Sequence, residues 1–404
     1  MNASYGRLNV TGKNNLKIES NTLDATTLNI SNSDASKVNV ESKGVSASLE
    51  RATGVLIAEG SLDSSNEIEI NNATLTGKTI SIKGSAAPEV SVDGLAVSAS
   101  ATFAGSGLFA GSTNNSAAKI FGDGATFTSD NLSIYAENLS KVKTSTNSAS
   151  GSLLASGSLT GILNKSNAAA AVDFTNANIN APNTSFNVNS LPNQKVGLVS
   201  LGAGGLLAAT GSIATVTSNP SATANISAKE ITADNLKMNA TADSNPDISV
   251  KGYSVGAIAV GSNLIASARD VKADASLKAD NATLNNLDIN AKTDSSPNLN
   301  VNGDGGGLAG IAPTAAVLND NLTQSASVKL EGTLNVKNSV NVNAKNSDAG
   351  TKIYRRVRCG SSGCFWRQPH SQRRFKSRHQ LQQCKYQKRR HAELHGDKRH
   401  GQQA

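Results

Sequence analysis

Histidine and cysteine supply most nucleophiles, general bases and zinc ligands, and in this chain they are confined to one end. All five histidines and all three cysteines follow residue 350. Residues 1–350 therefore cannot form a Ser-His-Asp or Cys-His nucleophile pair, and their metal ligands reduce to carboxylates. We predict no catalytic and no cofactor-binding residue, and no cofactor.

Carboxylates leave one enzymatic alternative open. Glycosidases act through a pair of acids, and some right-handed β-helix proteins cleave polysaccharides with Asp, Lys or Arg. Residues 1–350 contain only Arg7, Arg51 and Arg269 as arginines, and no pair of acids recurs in a way that indicates a cleft. We expect the charged side chains on a solvated outer face. A polysaccharide-active enzyme is the second hypothesis.

The C-terminal cysteines and histidines offer a zinc alternative. The candidate ligands are Cys359, Cys364, His370, His379 and Cys384, separated by four, five, eight and four residues. Zinc takes Cys and His in tetrahedral sites, but this spacing matches no standard finger. We therefore predict no metal site.

The net charge of +8 also arises at this end of the chain. Residues 351–404 contain 15 basic and two acidic residues, a net of +13, whereas residues 1–350 contain 23 basic and 28 acidic residues, a net of −5. Reading K-R-R-H-A-E-L at 388–394 one base late permits N-G-G-T-L-N-F, which is similar to the preceding sequence. We interpret residues 351–404 as a frameshift product, disordered or poorly structured. Its binding of polyanions is incidental, and no specific nucleic-acid partner is predicted.

Residues 1–350 are a repeat array. A short phrase that alternates apolar and polar residues recurs at intervals of 52, 52, 54, 50, 51 and 53 residues. Its first residues are Leu28, Ile80, Leu132, Phe186, Leu236, Leu287 and Val340. Alternation with a period of two is typical of a strand with one buried face.

Other features keep their order within each unit. Phrases such as P-E-V-S-V begin at Pro88, Pro246 and Pro297. A segment rich in Gly, Ala and Leu comes next, as in 197–211. Asn and Asp tolerate left-handed backbone conformations. We therefore place four pairs at the corners between strands, namely Asn71-Asn72, Asn114-Asn115, Asp234-Asn235 and Asn285-Asn286.

The composition favours a parallel β-helix over other repeat folds. The chain has only 14 aromatic residues, eight Phe, five Tyr and one Trp. The aromatic signatures of β-propeller blades are therefore missing. The core must be built from small and aliphatic side chains stacked in ladders. We predict an all-β fold, a parallel β-helix or β-solenoid of units of about 52 residues. Two coils of about 26 residues per unit would give about 14 coils and a rod of about 65 Å.

A membrane span is the rival interpretation of the Gly/Ala-rich segments. Residues 196–216 form a stretch of 21 residues without a charge, about long enough to cross a bilayer as a helix. Because the equivalent segments recur in each unit and contain Arg269 or Asn263, we interpret them as a tightly packed solenoid face. No transmembrane segment is predicted.

Taken together, the units of about 52 residues, the N-L-x-I-x-A phrases, the Pro-x-V-x-V phrases and the segment V-G-A-I-A-V-G at 255–261 resemble a known group. They are similar to the repeat region of large bacterial filamentous adhesins of the leukotoxin and filamentous-haemagglutinin type, which are two-partner secretion exoproteins. The resemblance covers residues 1 to about 350. It implies a right-handed β-helical rod, export through an outer-membrane barrel partner, an extracellular or cell-surface location, and attachment to an unknown host-cell or matrix receptor.

The chain departs from that group at both ends. The N-terminal residues are polar from the start and show no export signal, and we see no anchoring or effector module. We therefore expect an internal fragment that acts as a non-enzymatic stalk. A leukotoxin-like cytotoxin is a further alternative.

Overall fold

In a computed structural model of the chain, the described residues are 2–311, 314–348 and 352–358. They form β-strands joined by short corners, and no helix occurs among them. The strands are β1 Asn2–Glu19, β2 Thr22–Asp24, β3 Thr27–Asp34, β4 Lys37–Ser48, β5 Arg51–Asn71, β6 Thr74–Ala86, β7 Glu89–Ser100, β8 Phe103–Asp123, β9 Thr126–Asn138, β10 Lys141–Ser152, β11 Ala155–Asn180, β12 Asn183–Ser190, β13 Asn193–Gly204, β14 Leu207–Asp243, β15 Asp247–Ser295, β16 Asn298–Ile311, β17 Thr314–Asp348 and β18 Lys352–Arg358.

Three strand segments make up each repeat unit, and each pairs in parallel with its counterpart in the next unit. Thus β5 pairs with β8, β6 with β9, and β7 with β10. We call these the long, middle and short stacks. The longer strands of later units, such as β14 and β15, contribute to more than one stack. This parallel, layered arrangement is consistent with a β-solenoid.

The two-coil prediction for each unit is wrong. Coils of about 26 residues would place hydrogen-bonded partners about 26 residues apart, but Lys37 pairs with Glu89 and Glu89 with Lys141. Each residue is thus covered by its equivalent in the next whole unit. At about 4.8 Å per layer, seven layers measure about 30 Å, about half the predicted length.

One of the seven predicted anchor residues is out of register. Leu28, Ile80 and Leu132 stack in one column, but the next residue in this column is Thr184, not Phe186. Phe186 instead pairs with Ile134. The uneven spacings of 54 and 50 therefore reflect a choice of the wrong apolar residue, because the ladder itself is regular at this point.

Buried and more exposed side chains alternate along the strands, and the buried ones form the interior. The main core cluster fills the space between the middle stack and the adjoining half of the long stack, where Phe127 and Phe174 meet edge to face at 5.4 Å between ring centroids. A second cluster, which includes Val90, Val92 and Ile162, lies between the short and long stacks. Small and β-branched side chains dominate both clusters, which explains how the fold forms with few aromatic residues.

In the first four layers, the corner between the long and middle stacks has a left-handed residue. Ser20, Asn72, Gly124 and Asn176 have φ of 52°, 49°, 67° and 51°, and they are 52 residues apart. The prediction of a corner is confirmed for Asn71-Asn72. It is wrong for Asn114-Asn115, which lies within β8. Asp234-Asn235 and Asn285-Asn286 lie at a bend, in register with Pro182 between β11 and β12, because the amides of Asp234 and Asn235 both bond the Pro182 carbonyl and the strand register skips Asp234 and Asn285.

The parallel stack continues past residue 350, because β18 pairs with Asn298–Asp304. Residues 352–358 of the tail predicted to be disordered therefore form a strand, whereas residues 359–404, with all of its cysteines and histidines, lie outside the described residues. Residues 196–216, the alternative membrane span, belong to β13, the corner after it and β14. Among the described residues, no helix has the length and apolar character needed to cross a membrane.

Candidate functional site

The outer surface carries most of the charged side chains, as the sequence predicts. Among residues whose burial is described, the buried charged side chains are Asp34, Glu67 and Arg269. Within the same part of the chain, no group of three or more His, Cys, Asp or Glu side chains could hold a metal ion. The zinc candidates Cys359, Cys364, His370, His379 and Cys384 lie outside it.

One polar cluster links three layers on the outside of the middle stack. The Glu137 carboxylate accepts hydrogen bonds from Lys83 Nζ at 2.9 Å, Tyr135 Oη at 2.7 Å and Ser85 Oγ at 3.0 Å. The ammonium group of Lys83 also lies 5.3 Å from the centroid of the Tyr135 ring. Asn189 of the next layer donates to Tyr135 Oη at 3.1 Å. These contacts tie the layers together.

The protonation states in this cluster argue against acid catalysis. Burial opposes a charge on Glu137, but the three hydrogen bonds outweigh it, so the pKa of Glu137 is lowered. The hydrogen bond to Glu137 raises the pKa of Lys83. Both groups are therefore charged at neutral pH, and the carboxylate has no proton to give to a leaving group. We interpret the cluster as a structural ion pair.

A second ion-paired carboxylate lies near the first layer. Glu67 is in contact with Lys13 at 2.8 Å and Lys119 at 3.8 Å, from the layers on either side. The hydrogen bond from Lys13 is the main reason that the pKa of Glu67 is lowered. Alternation of charge from layer to layer thus cancels the repulsion that identical stacked residues would produce.

The structure also brings together two acids that the sequence analysis did not connect. Asp243 and Asp294 are register partners. Burial, and secondly the charge of Asp294, raise the pKa of Asp243 to about 6. Their spacing of one repeat was the signal that could have revealed the pair.

Two grooves open on the described surface. One, of about 240 Å³, lies between the short and long stacks at the N-terminal layers, and Lys43, Val45 and Val97 are among its lining residues. The other, of about 160 Å³, lies at the bend within the middle stack, where Asn180, Asp234 and Lys337 contribute to the lining. Asp234 accepts a hydrogen bond from Asn285 at 2.5 Å. A single carboxylate in this polar groove does not provide the acid pair that glycosidic cleavage requires.

Asparagine ladders are the most regular polar feature of the outer surface. In the exposed ladder of the middle stack, each side-chain amide donates to the amide oxygen of the preceding layer at 2.9 to 3.1 Å. The ladder consists of Asn131, Asn183, Asn235 and Asn286. Two further ladders consist of Asn187, Asn239 and Asn290, and of Asn115, Asn167 and Asn219.

These ladders leave hydrogen-bonding capacity on the surface. An Asn amide has two N–H donors and an oxygen with two lone pairs, and the bond to the preceding layer uses one donor. The remaining groups repeat once per layer, at about 4.8 Å. The result is a periodic polar surface suited to many weak contacts. Sequence reasoning assigned two of these asparagines, Asn235 and Asn286, to corners. Their recurrence at one phase of the repeat was the signal that these corner residues also form a ladder.

The chain was compared with protein-family models, with curated proteins and with solved structures, and none of the three comparisons finds a match.

Proposed function

We propose that this chain is a non-enzymatic segment of a secreted or surface-exposed bacterial filamentous adhesin, where it forms part of a repetitive stalk for attachment to host cells. The observation that supports this proposal is the parallel register that links each unit to the next along the described residues. Because each layer contacts only its neighbours, such a stack extends without any new type of interface. A stalk requires this property.

The proposal includes the finer features of the architecture. The stack is a right-handed parallel β-solenoid in which one unit of about 52 residues forms one coil. The complete protein reaches the cell surface through an outer-membrane barrel partner. The resemblance in the repeat phrases supports the handedness and the export route, and the pairing of residues one whole unit apart supports the single coil.

Attachment arises from many weak contacts along the stack. The exposed asparagine ladders present the same hydrogen-bonding groups in successive layers, so a receptor or glycan with repeated polar groups would bind through several layers at once. Multivalent binding of this kind exceeds the affinity of any single contact by orders of magnitude.

Beads coated with the full chain at two densities test this function. We expect dense beads to bind cultured host cells or matrix proteins far better than sparse beads or albumin-coated beads, because binding is multivalent. Binding equal to that of albumin at both densities would contradict the proposal. Turnover in a glycan panel would favour the polysaccharide-active enzyme, and lysis of the host cells would favour the cytotoxin.

A further inference from the structure

An uncharged apolar surface covers part of the long stack. We call it the apolar face and define it as the outward side of residues 103–111, 155–163, 207–215 and 258–266, which occupy successive layers. None of these segments contains Asp, Glu, Lys or Arg. Six of its large side chains are between 43% and 56% exposed, namely Phe103, Phe109, Leu159, Leu163, Leu207 and Ile213.

Glycines make this face flat. A Cβ atom on Gly161 would lie 2.5 Å from the ring of Phe109, and one on Gly211 would lie 3.0 Å from Leu159 Cδ1. In the strand register, Gly161 pairs with Phe109 of the preceding layer, and Gly211 pairs with Leu159. The large side chains therefore lean along the surface over the glycines instead of projecting from it.

The area of the apolar face is close to what a stable dimer needs. Nine residues at about 3.3 Å and four layers at about 4.8 Å give a projected area of about 600 Å². The accessible area is larger, since the side chains protrude in part. A standard interface takes about 800 Å² from each partner, and the largest apolar patch of an ordinary monomer is about 300–600 Å².

The chemistry of the face favours a second copy of the chain over a lipid surface. Interfacial lipid binding relies on Lys and Arg around the apolar residues. The neighbouring layer has one base and one acid at this margin, Arg51 over the Phe103 ring and Glu59 paired with Gly111, and residues 1–350 carry a net charge of −5 from 23 basic and 28 acidic residues. A second apolar face has the same layer spacing and the same flatness. Two such faces can therefore stay in register along their whole length, about 10 Å apart as packed sheets.

We propose that the apolar face is a self-association surface, on which two copies of this chain pack face to face in a two-fold symmetric dimer. This inference does not depend on the adhesive function, because bead binding and dimer formation are measured separately. Lateral pairing would double the number of polar ladders that one stalk presents.

Two charged variants of the apolar face test the interface. Copies of the same variant repel one another, whereas a lysine variant and a glutamate variant attract one another. The full chain is studied by sedimentation velocity in reducing agent and high salt, so that the C-terminal cysteines and basic residues do not cause association. We expect the unaltered chain to form dimers at micromolar concentration. L159K/L163K and L159E/L163E should each be monomeric, and an equal mixture of the two at lower salt should form dimers again.

Leu139→Lys is the matched control, because Leu139 is an exposed leucine in the corner between the middle and short stacks. It should leave the dimer unchanged. Far-UV circular dichroism checks that each variant keeps its β structure, and the single Leu163→Lys and Leu163→Glu variants replace any double variant that does not. The proposal is overturned if the unaltered chain is monomeric, or if the charged variants still dimerise separately. It is also overturned if a monomeric chain floats with phosphatidylcholine vesicles, since lipid would then be the occupant.

Discussion

At the scale of single residues, the stacking of like side chains creates the electrostatic costs of this fold. Some columns avoid them by alternating charge or by using amides, but others stack like charges, and Asp243 and Asp294 are such a pair of stacked acids. Because the pKa of Asp243 is raised to about 6, the folded state binds this proton more tightly than the unfolded chain does. The carboxyl of Asp243 therefore destabilises the fold increasingly as pH rises from about 4 to about 6.

Asp243→Asn should remove this pH-dependent cost. We expect the variant to be more stable than the parent by about 1–2 kcal/mol at about pH 7, with little difference at about pH 4. Urea unfolding across this pH range measures the effect. Asp63→Asn, at an exposed position of the long stack, is the control and should not change the pH profile. A parallel pH profile for Asp243→Asn and the parent would refute the assignment.

A buried ion pair is the second electrostatic feature at this scale. The side chain of Arg269 is 1% exposed, and its Nη2 lies 2.6 Å from Asp320 Oδ2 in the next layer. In the same column the adjacent layers have Ser218 and Leu322. The pair is thus local to one interlayer contact.

Arg269→Leu should destabilise the fold by about 3 kcal/mol, because the carboxylate of Asp320 loses its main counter-charge. Addition of Asp320→Ser, the residue that the preceding layer has at this position, should recover most of the loss. A double-mutant cycle on unfolding midpoints measures the coupling. Additive effects of the two substitutions would mean that the pair does not interact.

At the scale of the strand and its corner, the first four layers share one left-handed backbone conformation at one position. Gly124 has φ of +67° in the column of Asn72 and Asn176, and a Cβ there would lie 2.5 Å from Asn72 Oδ1. Residues with a Cβ pay a conformational cost in this region, which Asn bears better than most.

Gly124→Ala should therefore destabilise the stack by about 1–2 kcal/mol. Gly157→Ala is a matched control, because Gly157 lies within β11 and an added Cβ there would meet nothing within 4 Å. Thermal unfolding followed by circular dichroism compares the two. Equal midpoints for both variants would show that the corner tolerates a different backbone conformation.

At the scale of the whole molecule, stability is close to a sum of layer and interlayer terms. The final described strand, β18, covers the edge of β16, so its pairing contributes one of these interlayer terms. The sequence predicts a boundary at residue 350, so β18 is the part of the predicted tail that pairs with the repeat array.

A chain that ends at Arg358 should keep the far-UV β signal and the thermal midpoint of the full chain. A chain that ends at Asp348 should keep the signal but unfold at a slightly lower temperature, because the edge of β16 is then uncovered. A large loss of β signal on removal of residues 359–404 would contradict the frameshift hypothesis, since those residues would then support the fold.

The amino-acid sequence by itself determined the strand content, the period of the repeat and the approximate place of several corners. Alternation with a period of two is a local property. A proline such as Pro88 marks a corner because it cannot donate a ladder hydrogen bond within a central strand. The lack of His and Cys before residue 351 also limits the chemistry without any reference to structure.

Only the tertiary structure decided which residues stack on one another. Thr184 instead of Phe186 continues the column of Leu132, and Asp243 meets Asp294, because hydrogen bonds between residues a whole repeat apart set the register. The apolar face could not be assigned from sequence either. In segment 103–111 both alternating positions are apolar or glycine apart from Ser106, so local patterning does not say which side faces the core. Only packing against the short stack does.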